Sequence, residues 1–280
     1  WRRRGKKLFD INDTNKYHVF MNVVRKKHLA IDLFAGAGGL SSGFYKLGFD
    51  FIFANEIEKD YANTYKMNHP ESNIICDDIY NIDPLIIKNS FNLNEGDLDV
   101  LVGGPPCQGF STYGKRDPND LRNQLYKKYL EFLKTFKPKF FIMENVVGIL
   151  SMLNGEIIDD IKKTTSELGY KTNIYVLDCA DYGVPQYRKR VIIFGNSLGL
   201  NIDEPNKTHN STEQSDLFSN YLPHVTVYDA ISDLPEYVFS PKEINSEISY
   251  TIPPKTNYQK EIRSNSDKII DHSSKRMMAL

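Results

Sequence analysis

The chain has 280 residues, 40% hydrophobic and 25% charged, with 35 basic and 36 acidic residues and a formal net charge of −1. That composition suits a globular protein with a core of normal size, and the absence of any apolar run of about 18 residues argues against a membrane span, so no membrane partner is expected. The charge balance does not advertise nucleic-acid binding, yet a basic stripe can hide in a neutral total. Residues 1–27 read as a basic and polar extension. Its first residues include Arg2, Arg3, Arg4, Lys6 and Lys7, which suits a nucleic-acid arm or, more commonly, a solvated end. Cys76, Cys107 and Cys179 are far apart, odd in number and without a CxxC pair. This speaks against a metal site or a disulfide framework, so no metal is expected, and a reducing cytoplasmic compartment fits best.

From His28 onward, short apolar runs alternate with helix-like segments. Strands are expected at His28–Phe34, Phe51–Asn55, Ile74–Cys76, Asp99–Val102 and Phe140–Met143, and later at Tyr170–Leu177 and Val191–Phe194. Helical spacing marks Leu40–Leu47, Lys59–Asn68, Leu125–Phe136 and Ile157–Leu168, the last ended by Gly169. This alternation predicts an α/β fold, a parallel sheet with helices on both faces, and ligands beyond the carboxyl ends of the strands. After Gly195 the texture changes. Leu200–His224 reads as a polar loop, Thr226–Leu234 as a short helix closed by Pro235, and Ser240–Ser266 as irregular; Arg276–Leu280 has the pattern of a helix start.

The stretch DLFAGAGGL begins at Asp32 and places Gly36, Gly38 and Gly39 between a strand and a helix. Glycine there permits a sharp turn and close approach of a ligand. The spacing is not GxGxxG, and no Lys-Ser/Thr follows, which excludes a P-loop. Glu56 closes the second strand, where a carboxylate is placed to hold ribose hydroxyls. Asp78 follows the third strand, where one can accept from an adenine amino group. Phe34 and Ile57 are placed to sandwich the adenine ring. Singly, each acidic residue is more often a solvated turn residue; in order at successive strand ends they read as a nucleotide-type site.

The stretch GGPPCQGFS, Gly103 to Ser111, follows the apolar strand ending at Val102. A cysteine on a Pro-Pro turn at a strand's carboxyl end projects into the ligand cleft, where a thiolate can act as nucleophile. Cys76 and Cys179 lack such a setting and read as small buried hydrophobes. MENV places Glu144 directly after the apolar strand Phe140–Met143, a depth at which a carboxylate is costly unless used or paired. PQYRKR supplies Gln186, Arg188 and Arg190; two apart in an extended segment, the arginines face the same way.

These motifs occur in the order of the cytosine-C5 DNA methyltransferase family. The glycine loop at Asp32, PPCQ at Pro105, ENV at Glu144 and QxRxR at Gln186 resemble that family over Leu29–Gly195, and VTVYDAISDLP at Val225–Pro235 is similar to its lead-in to the recognition region. The resemblance implies a Rossmann-like methyltransferase sheet over residues 28–196 with S-adenosylmethionine as cofactor. Phe34, Ala35, Gly36, Gly38, Gly39, Leu40, Glu56, Ile57, Asp78, Ile79 and Pro105 would then form the donor site. Cys107 would add to C6 of cytosine, and Glu144 would hydrogen-bond the ring N3 and amino group. Arg190 would polarise O2, with Arg188 supporting it or binding phosphate. Because the target atom lies inside the duplex, the base would be flipped out. Ser111 through Asn123 matches a mobile loop that closes over DNA, and Gln108, Ser111, Lys115, Arg116 and Arg122 are its expected DNA contacts.

The same resemblance implies double-stranded DNA as partner and a bacterial restriction–modification setting in the cytoplasm, associated with the nucleoid. Family members continue into a target-recognition region and then return to the catalytic domain. Residues 197–280 read as an irregular connecting segment leading toward that region, too short to hold both. A second polypeptide carrying the recognition region is therefore expected if the chain is one subunit of a split enzyme. Two alternatives remain: a tRNA cytosine-C5 methyltransferase, or a catalytically silent regulatory homologue.

Overall fold

The computed structural model describes residues 28–106, 124–211, 221–235, 248–263 and 268–269. Two compact units divide them. The first takes the chain through Val176 and again over Arg190–Glu204; the second takes Leu177–Lys189 and the chain from Pro205 onward. The second unit thus draws in a stretch from inside the segment expected as the catalytic domain.

Along the chain, β1 (His28–Leu33), α1 (Gly39–Lys46), β2 (Phe49–Glu56), α2 (Lys59–Asn68), β3 (Ile74–Cys76) and α3 (Pro84–Ser90) come first. Then follow β4 (Val100–Gly103), α4 (Leu125–Phe136), β5 (Phe140–Val146), α5 (Glu156–Glu167), β6 (Lys171–Asp178) and β7 (Lys189–Asn196). The seven strands form one sheet in the order β3-β2-β1-β4-β5-β7-β6. Pairing is parallel from β3 through β5, but β7 runs antiparallel to β5. The expected parallel sheet with helices on both faces is thus present from β3 through β5, and β7 makes the sheet as a whole mixed. The connection supplies the reason. Only a 3-10 turn at Cys179–Tyr182 and a short loop separate β6 from β7, whereas a parallel return needs a crossover of a dozen or more residues.

Helices cover both faces, because alternate residues of a strand face opposite sides. Leu29, Ile31 and Leu33 join a core with Tyr129, Phe132, Leu133 and Phe136 of α4 and Ile157 and Ile161 of α5. Ala30 faces the other way, with Phe51, Val100 and Val102, against Leu40 and Phe44 of α1. Each such large side chain taken fully from water contributes roughly 1.5–3 kcal/mol. The hydroxyl of Tyr129 reaches from α4 to the carbonyl oxygens of Leu101 (2.9 Å) and Ile142 (3.1 Å), tying the helix to β4 and β5. Helix α3 was not foreseen, although its start is written in Asp83-Pro84. Asp83 accepts the Leu85 N–H at 2.8 Å, and Pro84 sits where no N–H is needed.

In the second unit, β8 (His209–Asn210) pairs with β9 (Leu222–Pro223), and α6 (Val227–Ile231) begins with a capping box between Thr226 and Asp229. β10 (Ile248–Ser249) pairs with β11 (Lys268–Ile269), and α7 (Asn257–Arg263) lies between them in the chain. The readings of Leu200–His224 as loop and Ser240–Ser266 as irregular are corrected by β8, β9, β10 and α7. Long-range polar contacts hold this unit. Arg263 pairs with the buried Asp233 at 2.6 Å and stacks over Tyr250, and Gln259 caps Lys255 and Thr256 while bonding Ser232. Arg276–Leu280 lies outside the described residues. Among the described residues no helix is long and apolar enough to cross a membrane.

Candidate active site

A cavity of about 560 Å³ opens at the carboxyl ends of β1, β2, β3 and β4 in the first unit. Phe34, Gly36, Glu56, Ile57, Asp78 and Ile79, all expected at a donor site, line it. Ala35, Gly38, Gly39, Leu40 and Pro105 lie off its wall. Ala35 packs with Ala54 and Tyr65, Leu40 packs against the α1-side core, and Gly38 and Gly39 start α1. Asn55, Glu58, Tyr61, Tyr80, Gly104, Pro106 and Leu125 complete the lining, and sequence reasoning missed them. Tyr61 and Tyr80 are more than half and about half exposed at the rim; nothing in their spacing marked them.

The two carboxylates are held differently from the solvated turn residues they resemble singly. Glu56 ends β2, and its carboxylate accepts three backbone N–H groups: Gly36 at 2.8 Å, and Ile57 and Glu58 at 2.9 Å each. It therefore fixes the glycine loop against the end of its own strand. Asp78 caps the 3-10 turn Ile79–Asn81 by accepting the Tyr80 N–H at 3.0 Å. Two carboxylates among aromatic and aliphatic walls suit a nucleoside, whose ring needs apolar faces and whose hydroxyls and amino group need acceptors. The residues present thus fit S-adenosylmethionine: Phe34, Ile57 and Ile79 for the ring, Glu56 and Asp78 for the polar edges, and the glycine loop for the remainder.

Behind the loop lies a buried polar cluster that sequence reasoning also missed. Asp32, 1% exposed on β1, accepts from Ser41 Oγ of α1 at 2.5 Å, and Ser41 lies 3.0 Å from the Tyr65 hydroxyl of α2. Burial pushes the Asp32 carboxyl up to about 7, with the Ser41 hydrogen bond opposing and the nearby Glu56 charge adding to the rise. His69, at the end of α2, stacks on Tyr45 and contacts the Gly38 carbonyl at 3.1 Å. Gly38 has φ +89°, and a Cβ there would stand 2.5 Å from His69 Nε2. Both conditions require glycine.

The second cluster sits where β4 and β5 end. Past Gly103 the chain continues through Gly104, Pro105 and Pro106. The Asn145 side chain donates to the Pro105 carbonyl at 2.8 Å and accepts the Val146 N–H at 2.9 Å, fastening this turn to β5. β5 runs on past the expected Met143, so Glu144 lies within the strand. In the antiparallel register Val146 is opposite Arg190 and Glu144 is opposite Ile192. Glu144 and Arg190 are diagonal neighbours on one face, within reach of long side chains, and they pair at 2.7 Å through Oε1 and Nε. A Cβ on Gly104 would stand 3.1 Å from Glu144 Oε2, so the absence of a side chain there makes room for the carboxylate. Arg188 belongs to the second unit and is exposed; its backbone N–H donates to Asp178 Oδ1 at 2.9 Å. Cys107, Gln108, Ser111, Lys115, Arg116 and Arg122 lie outside the described residues.

Comparison with known proteins addresses the whole chain. The family model of C-5 cytosine-specific DNA methylases matches residues 29–279. The type II methyltransferase M.AgeI of Thalassovita gelatinovora is 44% identical over 89% of this chain and 61% of its own length, and M.DdeI of Desulfomicrobium norvegicum is 40% identical over 88% and 57%. The chain thus spans about three fifths of the length of these relatives. It covers 94% of M.AquIA of Picosynechococcus, at 38% identity. Among solved structures, a protein encoded within an E. coli prophage and assigned to the DNA modification methyltransferases superposes with a TM-score of 0.71 at 28% identity, over 90% of this chain and 72% of that one. On the family model, the relatives and the sheet together, the chain belongs to the C-5 cytosine-specific DNA methylase family.

Proposed function

We propose that this chain carries the catalytic half of a DNA cytosine-C5 methyltransferase of a bacterial restriction–modification system, with S-adenosylmethionine as donor and Cys107 as nucleophile. The observation that carries the reading is the Glu144–Arg190 pair, packed against Gly104 at the turn that leads to Cys107. A carboxylate and a guanidinium side by side match the donor and acceptor edge of cytosine. The names of M.AgeI, M.DdeI and M.AquIA, each a type II methyltransferase, support the setting.

In this mechanism the target cytosine is flipped from the duplex. Cys107 as thiolate adds to C6, forming the S–C6 bond and pushing electron density to C5. Glu144 accepts from the exocyclic amino group and shares a proton with N3, stabilising the N3-protonated intermediate, and Arg190 stabilises charge developing at O2. S-adenosylmethionine, held by Phe34, Glu56, Ile57 and Asp78, would supply C5 with an electrophilic methyl group from its sulfonium, with a thioether as leaving group. Loss of the C5 proton to a base and expulsion of the Cys107 thiolate then restore the ring. Arg188 supports Arg190 or binds phosphate. Gln108, Ser111, Lys115, Arg116 and Arg122, in the stretch of sequence that follows Cys107, contact DNA. Residues 28–196 act as the catalytic domain, and 197–280 lead toward a recognition region. Relatives longer than the matched stretch support further polypeptide, continuous or separate, as the source of base reading. The site of action is the cytoplasm, on the nucleoid.

Covalent trapping tests the proposal. DNA containing 5-fluorocytosine, with labelled donor and any further polypeptide supplied, is expected to form a stable adduct, because fluorine blocks the final elimination. Cys107→Ser is expected to abolish it, and Cys76→Ser and Cys179→Ser to leave it intact. An adduct that survives Cys107→Ser would overturn the assignment. Offering tRNA beside DNA distinguishes the substrate.

A further inference from the structure

We propose that Asp32 is a positioning residue for the donor loop: its ionised form holds the loop in the donor-binding arrangement, protonation releases it, and donor affinity falls with pH. The inference rests on the reading of the cavity as the donor site. Its basis is a continuous set of contacts. Asp32 sits at the middle of the sheet, in register with Ala54 of β2 and Val102 of β4. Its carboxylate accepts from Ser41 in the first turn of α1, and the Tyr65 hydroxyl stands behind Ser41. One residue on, Ser42 donates to the Gly38 carbonyl from both its backbone N–H (2.9 Å) and its hydroxyl (2.8 Å). The Gly38 N–H donates to Ala35 at 3.0 Å, and the Gly36 N–H, at the cavity wall, donates to Glu56. Glu56 thus bonds the loop at the cavity, and Asp32 bonds the first turn of α1 into which the loop runs.

The hydrogen-bond chain suits the ionised state. Tyr65 donates to Ser41 and Ser41 donates to the carboxylate, so both hydroxyl protons point toward the charge. Protonating Asp32 removes the charge on which both protons converge and turns the charge-assisted Ser41 bond into a weaker neutral one. The charge also matters to the ligand. The donor carries a sulfonium and an ammonium group, so an anion at the N-terminal turn of α1 favours it over the neutral form. The groups that face Asp32 on the α1 side of the sheet are Glu56 on β2, Tyr45 on α1 and Tyr65 on α2, and Tyr129 of α4 senses its charge from the opposite face. Burial raises the three tyrosines above their ordinary range, and burial lowers the neighbouring His69. Asp32 is left as the member of the group brought up to about 7.

Isothermal titration of S-adenosylmethionine between pH 6 and pH 8 tests the inference on the wild type, Asp32→Asn and Ser41→Ala. The wild-type Kd is expected to be about tenfold weaker at pH 6 than at pH 8, the change for a single group titrating near 7 that must be ionised to bind. Asp32→Asn is expected to bind weakly at both pH values, with no slope. Ser41→Ala, which removes the bond that opposes the rise, is expected to move the midpoint to higher pH; this variant decides the matter if Asp32→Asn does not fold. A wild-type slope retained in Asp32→Asn, or an unmoved midpoint in Ser41→Ala, overturns this inference alone. Absence of donor binding at every pH overturns the donor site as well. Urea unfolding without donor gives an independent reading. A carboxyl raised on folding contributes stability that is full below its unfolded value of 3.8 and is lost as pH rises toward about 7. The wild type is therefore expected to lose stability relative to Asp32→Asn across that window and to keep a constant difference from it above. A constant difference across the window would overturn the titration of Asp32.

Discussion

Glu56 and Glu144 are glutamates near the carboxyl ends of strands in one sheet, yet they are held in different ways. Glu56 takes three backbone N–H groups, two from its own turn and one from the glycine loop. Glu144 pairs with a side chain, Arg190, across an antiparallel strand. A carboxylate fastened to backbone organises a loop and stays in place. One paired with a guanidinium keeps a side-chain partner that can be exchanged. On the proposed function, the first lies at the donor end of the sheet and is preorganised by main chain, and the second lies at the base end, where both members would turn to the polar edge of an arriving base.

Substitutions that separate the two ends sharpen this comparison. The largest effect is expected at the base end. Glu144→Gln and Arg190→Met each remove a group aimed at developing charge, so single-turnover methyl transfer is expected to slow about 10²–10³-fold, with donor affinity by calorimetry unchanged. An equal loss of donor affinity would show that the ends are not separate. Next comes Glu56→Gln, which keeps the shape but removes the charge that holds three N–H groups. Hydrogen bonds to a charged group are worth about 1.5–3 kcal/mol each, so donor Kd is expected to weaken by one to two orders of magnitude. Asp78→Ala is expected to weaken it less, because Asp78 caps a single turn. Unchanged calorimetric affinity in both variants would refute the cavity as the donor site.

Gly104→Ala probes the junction between the ends. Its Cβ would crowd Glu144 Oε2 at 3.1 Å, so the carboxylate must yield by a few tenths of an ångström. Methyl transfer is expected to fall about tenfold, with the covalent adduct still forming on trapping DNA. The smallest effect is expected at Asp181, in the second unit. The Lys207 hydrogen bond, joined by one from His224, holds its carboxyl below the ordinary value of 3.8. A depressed carboxyl contributes stability above its unfolded value and loses it as pH falls through the folded one. Asp181→Asn is expected to cost under about 1 kcal/mol near neutral pH. That difference should close as urea titrations are taken below about pH 4, with methyl transfer unaffected.

The glycine loop and the ends of β2 and β3 were legible because each is local. A strand, a turn residue and a carboxylate within a few positions define their own geometry. The helices α2 and α4 were legible for the same reason, since their apolar periodicity is internal. The polar cluster behind the loop was not. Asp32, Ser41, Tyr65 and His69 come from three elements, and nothing in their spacing shows that they meet. Nor did local pattern reveal α7, whose place depends on Gln259, Arg263 and distant partners rather than on an apolar stripe.

The sequence by itself determined the seven strands of the main sheet to within a few residues at their ends, four of its helices, and a family resemblance resting on four motifs. Only the tertiary structure decided which of those strand ends face one another. The antiparallel entry of β7 beside β5 is the clearest case, because strand pairing is a contact between distant segments that no local periodicity encodes. That one register sets Arg190 diagonal to Glu144, and with it the partner of the carboxylate at the base end. The burial of Asp32 is the other case. An aspartate at the end of an apolar run reads as exposed or buried alike until α1 and α2 close over it, and its charge state follows from that closure.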